Sequence, residues 1–251
     1  MAIIAVFGVG FVGSTIANYL EKQYHTVIRV DINLYPDTDP IKAINDCEGV
    51  VVCVPTPSNE DGSCDDSIVK TVLELAKNKQ HILLKSTVTY DCMEHYLDQV
   101  VYSPEFLREL TAEKDFADQK TLVFGAQHET FIEFWENIFS NLDCDIVKTN
   151  RTTASMIKYV HNSWLATKVA FFHELKTILP EDIDYDTITS VLGNFRRIGP
   201  DMMKAPNNQG TLGYSGACFP KDVKALTKVI NHSILNTVKE TNETLNNTKG
   251  E

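Results

Sequence analysis

Three stretches of the chain carry residue types at spacings that could do chemistry. The first, Gly8-Val9-Gly10-Phe11-Val12-Gly13, follows an apolar run at 3–7 and precedes a segment of helical periodicity. There the first glycine permits a tight turn, and the second lets a diphosphate approach the main chain. The third lets helix and strand pack closely, so that helix N–H groups and the helix dipole face the phosphates. Asp31 closes the next apolar run, 18 residues beyond Gly13. An acid at that place hydrogen-bonds ribose hydroxyls and repels a 2′-phosphate, which favours NAD over NADP. The second stretch is Gly213-Tyr214-Ser-Gly-Ala-Cys218-Phe-Pro220-Lys221-Asp222. Pro220 suits a helix's first turn, and a thiol at a helix N-terminus beside Lys221 is expected to ionise readily and serve as a nucleophile. The third is a set of i, i+4 pairs, Glu105/Glu109, Lys158/Asn162 and Cys218/Asp222, each able to place two polar groups on one helix face.

These residues need elements to position them. Short β-rich runs lie at 3–7, 26–30, 50–54, 82–85, 100–102, 122–124 and 146–147, and most of them are apolar without alternation, the pattern of strands covered on both faces. Helical periods at 12–22, 65–77 and 130–140 lie between several of them, which predicts a Rossmann-like, doubly wound, mainly parallel α/β sheet over 1–150. Three runs end in marked sequences: Val54-Pro55-Thr56-Pro57, Lys85-Ser86-Thr87-Val88 and Ser103-Pro104-Glu105-Phe106-Leu107-Arg108-Glu109. The carboxyl edge of such a sheet is where ligands bind. After residue 150 the texture becomes helical. A long helix at 152–179 ends at Pro180, a shorter one follows at 184–192, and a Gly/Pro/Asn-dense loop at 198–215 leads to a last helix at 220–238. The tail, 241–251, is expected to fray.

Composition bounds the partners. The 251 residues hold 23 Lys and Arg against 34 Asp and Glu, a formal charge of −11. That sign argues against nucleic acid or an anionic membrane surface as the main partner. No apolar run is long enough to span a bilayer. The six cysteines show no Cys-x-x-Cys pair and no framework spacing, which points to reduced thiols in the cytoplasm and to no metal site.

Taken in order, the glycine fingerprint, Val-Pro-Thr-Pro, Lys-Ser-Thr-Val, Ser-Pro-Glu-Phe-Leu-Arg-Glu, Lys158-Tyr-Val-His-Asn162 and Gly-Ala-Cys-Phe-Pro-Lys-Asp222 closely resemble the UDP-glucose 6-dehydrogenase (nucleotide-sugar dehydrogenase) family. The likeness covers nearly the whole chain. It implies oxidation of a sugar C6 alcohol to the carboxylate in two NAD-dependent steps through a thioester. The resemblance assigns Cys218 as nucleophile, Lys158 and Asn162 to oxyanion stabilisation, and Asp222 to acid–base work through a water near Thr87. Glu105 assists thioester hydrolysis. Val54, Pro55, Thr56, Thr87, Glu109 and Lys221 join the fingerprint and Asp31 as cofactor contacts. Glu105, Phe106, Leu107, Lys158, Asn162, Lys204, Gly213 and Tyr214 hold the sugar nucleotide, and Arg197 reaches a neighbouring subunit's substrate. The helix after residue 151 is expected to form a homodimer.

Family members continue into a third, carboxy-terminal α/β domain, so a short form is expected here, with the loop at 205–212 expanded. UDP-glucose is the expected substrate. GDP-mannose, a UDP-N-acetylhexosamine and a decayed NAD-binding protein are the alternatives. A simple two-electron alcohol dehydrogenase is disfavoured, since it needs no thiol.

Overall fold

A computed structural model describes residues 1–208 and 210–247. The chain divides into two compact units, residues 1–59 with 64–158, and residues 60–63 with 159–251. In the first unit the order is β1 (Ile3–Phe7), α1 (Phe11–Lys22), β2 (Thr26–Val30), α2 (Pro40–Asp46), β3 (Gly49–Val52), α3 (Ser67–Leu75), β4 (His81–Leu84), β5 (Val100–Tyr102), α4 (Ala112–Asp118), β6 (Thr121–Gly125), α5 (Glu133–Ile138) and β7 (Asp145–Thr149). Among the described residues the seven strands form one sheet in the order β2-β1-β3-β4-β5-β6-β7. Every pair is parallel except β5 with β6, which meet antiparallel at Tyr102 and Gly125. The Rossmann-like, doubly wound reading therefore holds, with one reversal that apolar runs alone cannot reveal.

Both faces of the sheet's inner strands are buried, while the edge strands β2 and β7 are largely half-buried or exposed. Ala5, Phe7, Val50, Val52, Ile82 and Leu84 point into one core, while Ile4, Val6, Val51 and Leu83 point into the other. Successive strand residues face opposite sides, so an apolar run without alternation is what two cores require. Two helices were not expected from the sequence. Asp39 starts α2 by accepting from Ile41 N and Lys42 N, with Pro40 in the first turn. The other, α4, buries Ala112 and Phe116 from a short, mostly polar segment. The helix expected at 130–140 is instead a 3₁₀ turn at Glu129–Phe131 followed by α5.

The long helix, α6 (Arg151–Ile178), is continuous, and the division between units falls within it, after Lys158. The second unit adds α7 (Tyr185–Gly193), α8 (Phe219–Val229) and α9 (Ser233–Asn247). Asp184 caps α7 by accepting from Asp186 N and Thr187 N. The single last helix expected at 220–238 is in fact two, with a break before Ser233, and the tail does not fray up to Asn247. The cause is burial: Leu245 packs with Tyr185, Ala205 and Leu212. In addition, the Asn242 amide accepts from Tyr214 N at 2.6 Å and donates to Tyr214 O at 3.1 Å. Residues 248–251 of the expected frayed tail lie outside the described residues.

Candidate functional site

The carboxyl edge of the sheet is built by register carried one residue past each strand. Cys53 N donates to Phe7 O at 2.7 Å, Lys85 N to Val52 O at 2.8 Å and Ser103 N to Leu84 O at 2.8 Å. Gly8, Cys53, Lys85 and Ser103 therefore stand side by side along one edge. Val54 and Lys85, expected to lie inside strands, fall just beyond them.

The glycine turn fits a dinucleotide. Gly8 has φ +81°, and a Cβ there would lie 2.7 Å from Cys53 O. A Cβ on Gly13 would sit 1.9 Å from Gly8 O, so strand and helix approach as closely as a hydrogen side chain allows. Around Gly10 there is open space, nothing lying within 4 Å of an added Cβ. Gly10 is also the N-cap of α1, whose first turn holds no acid to repel an anion.

Beside this turn, Asp31 accepts from Val9 N through Oδ2 (2.9 Å), and from Asn33 N (2.9 Å) and Leu34 N (3.1 Å) through Oδ1. Burial opposes its ionisation, but those three backbone donors outweigh burial and hold the carboxyl below its usual range. A cavity of about 440 Å³ opens here, lined among others by Gly8, Asp31, Ile32, Val54, Pro55 and Leu75. A second, also about 440 Å³, brings Phe11 of α1 together with Glu109 and Thr111. Thr56 Oγ1 donates to Thr87 O at 2.7 Å, tying two of the marked strand ends together.

Further along the edge, Lys158 Nζ donates to Glu105 O at 2.6 Å and Glu105 Oε1 at 3.0 Å, both side chains being buried. Glu105 Oε2 accepts from Leu107 N at 2.7 Å, and the Lys158 ammonium lies 5.6 Å from the Phe106 ring centre. Glu105, Phe106, Leu107 and Lys158 thus form one cluster. Lys85 belongs with it and was given no role from sequence. Its signal was present: a lysine immediately after an apolar strand.

In the second unit, Asp222 is buried in the first turn of α8, where its N–H donates to Cys218 O. Asn162 Nδ2 donates to Asp222 Oδ2 at 2.6 Å, and Lys221 Nζ pairs with Asp222 Oδ1 at 2.7 Å. Lys221 and Asp222 are adjacent in that first turn, so the ion pair forms between chain neighbours. Cys218 is exposed and occupies the N-cap position of α8. Lys204, Gly213 and Tyr214 line a third cavity of about 340 Å³, with His173, Asn207 and Phe219. Sequence reasoning missed His173. Its Nδ1 accepts from Gly213 N at 2.9 Å, and burial pushes the imidazole below its ordinary range against a hydrogen bond to the Lys204 backbone. Arg197 is exposed and lies outside that cavity's lining.

No disulfide joins any of the six cysteines. Among the described residues no group of three or more His, Cys, Asp and Glu is placed to hold a metal ion, and no helix is long and apolar enough to cross a membrane.

Two family models cover most of the chain. The NAD binding domain of the UDP-glucose/GDP-mannose dehydrogenase family matches residues 33–143, and its central domain matches residues 152–246. The chain belongs to this family. The first unit's turn and acid fit the cofactor of that NAD binding domain: Gly10 leaves room for a diphosphate, and Asp31 lines the adjoining cavity. Two relatives place the chain within the family. It is 28% identical over 284 residues to a UDP-glucose 6-dehydrogenase of Haloferax volcanii, covering 89% of this chain and 64% of that protein. It is 27% identical over 270 residues to a putative UDP-glucose 6-dehydrogenase of Bacillus subtilis, covering 89% and 62%. The chain therefore spans about three fifths of the length of these dehydrogenase relatives. A solved UDP-glucose dehydrogenase from Pyrobaculum islandicum superposes with a TM-score of 0.88 at 23% identity, over 97% of this chain and 68% of that one, and shares its fold.

Proposed function

We propose that the chain is an NAD-dependent nucleotide-sugar 6-dehydrogenase, acting on UDP-glucose to give UDP-glucuronate through a thioester on Cys218. The observation that carries this reading is the first turn of α8. There an exposed thiol stands four residues from a buried carboxylate that is itself locked to the Asn162 amide. A nucleophile with an adjacent, oriented polar pair suits acyl-type chemistry.

Bound NAD supplies the hydride acceptor for each of two oxidations. The chain's own residues do the rest. The Cys218 thiolate adds to the C6 aldehyde, and the resulting thiohemiacetal becomes a thioester when its hydride leaves. Water then cleaves the carbon–sulfur bond, returning the thiol and releasing the carboxylate. Asn162 and Lys158 carry donors for the oxyanion, and Asp222 moves protons through a water near Thr87. Glu105, held by Lys158 and Leu107 N, assists hydrolysis. Glu109 and Lys221 are assigned to the nicotinamide end, Val54, Pro55, Thr56 and Thr87 to further cofactor contacts, and Lys204, Gly213 and Tyr214 to the sugar nucleotide.

A homodimer is part of the proposal. Trp164, Phe171 and Ile178, seven residues apart along α6, are 64%, 60% and 69% exposed, an apolar stripe suited to a second copy of the same helix. Arg197 is assigned to the neighbouring copy's substrate, and the cytoplasm is the proposed compartment.

The deciding experiment offers a panel of sugar nucleotides with NAD and measures NADH. UDP-glucose should yield two NADH per molecule, and Cys218→Ser should stop short of glucuronate. One NADH per sugar would mean simple alcohol oxidation, and unchanged glucuronate from Cys218→Ser would remove the thiol from the mechanism. Preferential turnover of GDP-mannose would move the substrate. That alternative has support in the 27% identity to a GDP-mannose 6-dehydrogenase of Pseudomonas aeruginosa. Absence of NADH from every sugar would leave a decayed NAD-binding protein.

A further inference from the structure

Lys85 is a buried cation at the carboxyl edge for which the mechanism above has no use. Its side chain is almost wholly enclosed, with the residue 4% exposed. Its ammonium donates to Ser103 Oγ at 3.1 Å and Pro104 O at 3.2 Å, both uncharged acceptors. The groups facing it are the Cys53 thiol from the end of β3, the Glu105 carboxylate and the Lys158 ammonium from α6. Burial depresses the Lys85 ammonium to about 8, the Glu105 carboxylate pulling it back up and the Lys158 ammonium pushing it down. Enclosing an ammonium without a carboxylate in contact opposes folding, so packing alone would favour an apolar side chain here.

What the position achieves is geometric. Lys85 grips the carbonyl of Pro104 and Lys158 grips the next one, that of Glu105. Two ammonium groups thus hold successive peptide units of the irregular stretch that follows β5, just past its last register bond at Ser103 N. The Glu105 carboxylate is fixed as a consequence, with Oε1 on Lys158 and Oε2 on Leu107 N.

We propose that Lys85 is a positioning residue: it clamps the 103–105 turn so that Glu105 and Lys158 meet in one fixed geometry. The effect on turnover rests on the function proposed above, whereas the effect on the turn does not.

The test uses the full chain, Lys85→Met and the milder Ser103→Ala, which removes one acceptor from a buried site and leaves the lysine. Hydrogen exchange is read over 103–109, and kcat and KM for NAD are read from NADH formation. In Lys85→Met, exchange across 103–109 should rise roughly tenfold, the equilibrium equivalent of one lost hydrogen bond, while β1 and β3 keep their protection. Misplacing a hydrolytic carboxylate by about an ångström should lower kcat by on the order of 10–100-fold with KM for NAD little changed. Ser103→Ala should move both quantities in the same direction and less far. Unchanged exchange over 103–109 in both variants overturns the clamp, as does a rise spread evenly through β1 and β3. A higher KM for NAD at constant kcat also overturns it. Should Lys85→Met fail to fold, Ser103→Ala decides alone. A wild-type chain that makes no NADH from any sugar nucleotide defeats the proposed function, and the exchange result still decides the clamp.

Discussion

The buried lysine makes a quantitative demand on stability. Its folded ammonium titrates at about 8 and the unfolded one near 10.5. Between those values the unfolded chain holds more protons than the folded one, so stability attributable to this group rises with pH. The cost of the enclosed charge is fully present below pH 8 and gone above 10.5. The gap of roughly two and a half pH units, at about 1.4 kcal/mol each, amounts to about 3.5 kcal/mol, of which about 3 kcal/mol is recovered by pH 10.5, where half the unfolded lysine is still charged. Lys85→Met never bears that cost. The stability difference between wild type and variant should therefore shift by about 3 kcal/mol in favour of wild type from pH 7 to pH 10.5.

The neighbouring Cys53 thiol, pushed up to about 12 by burial, stays protonated in the folded state across this window and drops out of the difference. The assay is urea unfolding of both proteins at matched concentration. Trp135, fully buried in the first unit, is the reporter, and Trp164 is replaced by Phe in each. A wild-type-minus-variant difference that stays flat from pH 7 to 10.5 refutes the reasoning, because it would mean that the folded lysine ionises as it does in water.

The second and third glycines of the fingerprint should behave oppositely. In Gly13→Ala the new Cβ would meet the Gly8 carbonyl at 1.9 Å, a backbone atom that cannot swing away, so melting should show a loss at or above the ~3 kcal/mol upper end usual for overpacking. Gly10→Ala meets no protein atom, so its melting temperature should hold while NAD titration shows weakened binding; equal NAD affinity would place the diphosphate elsewhere. On α6, Trp164→Glu puts a charge into the proposed dimer stripe, and sedimentation should show monomer where wild type shows dimer. A monomeric wild type would refute the stripe.

The inner sheet was legible because burying both faces leaves a crude trace, an apolar run without alternation, and β1 and β5 fall where that trace places them. The β5–β6 reversal left none, since an antiparallel pair buried on both sides has the same composition as a parallel one. Short α2 and α4 carry too few apolar positions to establish a period, and what starts α2 is a single capping aspartate. The final turns of α9 read as a polar tail because their order depends on Asn242 and Leu245 finding partners far away in sequence. Composition cannot register such contacts.

The site was legible where spacing carries the chemistry and illegible where burial does. Glycine intervals and two of the three i, i+4 pairs located the fingerprint turn and the polar faces of α6 and α8, whereas Glu105 lies on an irregular stretch and Glu109 opens a 3₁₀ turn, so that pair shares no helix face. Hydropathy, by contrast, treats every lysine and aspartate as a surface residue, yet Lys85, Lys158 and Asp222 are 4%, 3% and 1% exposed. For Lys85 the reason is mechanical. Sheet register continues one residue past β4 through Lys85 N to Val52 O, so whatever follows the last strand residue is held between neighbouring strand ends before the chain can turn outward. A charged residue directly after a doubly buried strand is therefore enclosed by the register itself. It must find acceptors among the adjoining strand ends, which in this chain are Ser103 Oγ and Pro104 O. The same constraint applies to Cys53 one strand over, whose thiol is pushed up to about 12 by the burial that depresses the lysine. One step beyond β3 and β4, the sheet thus buries an ionisable side chain and shifts it toward its neutral form.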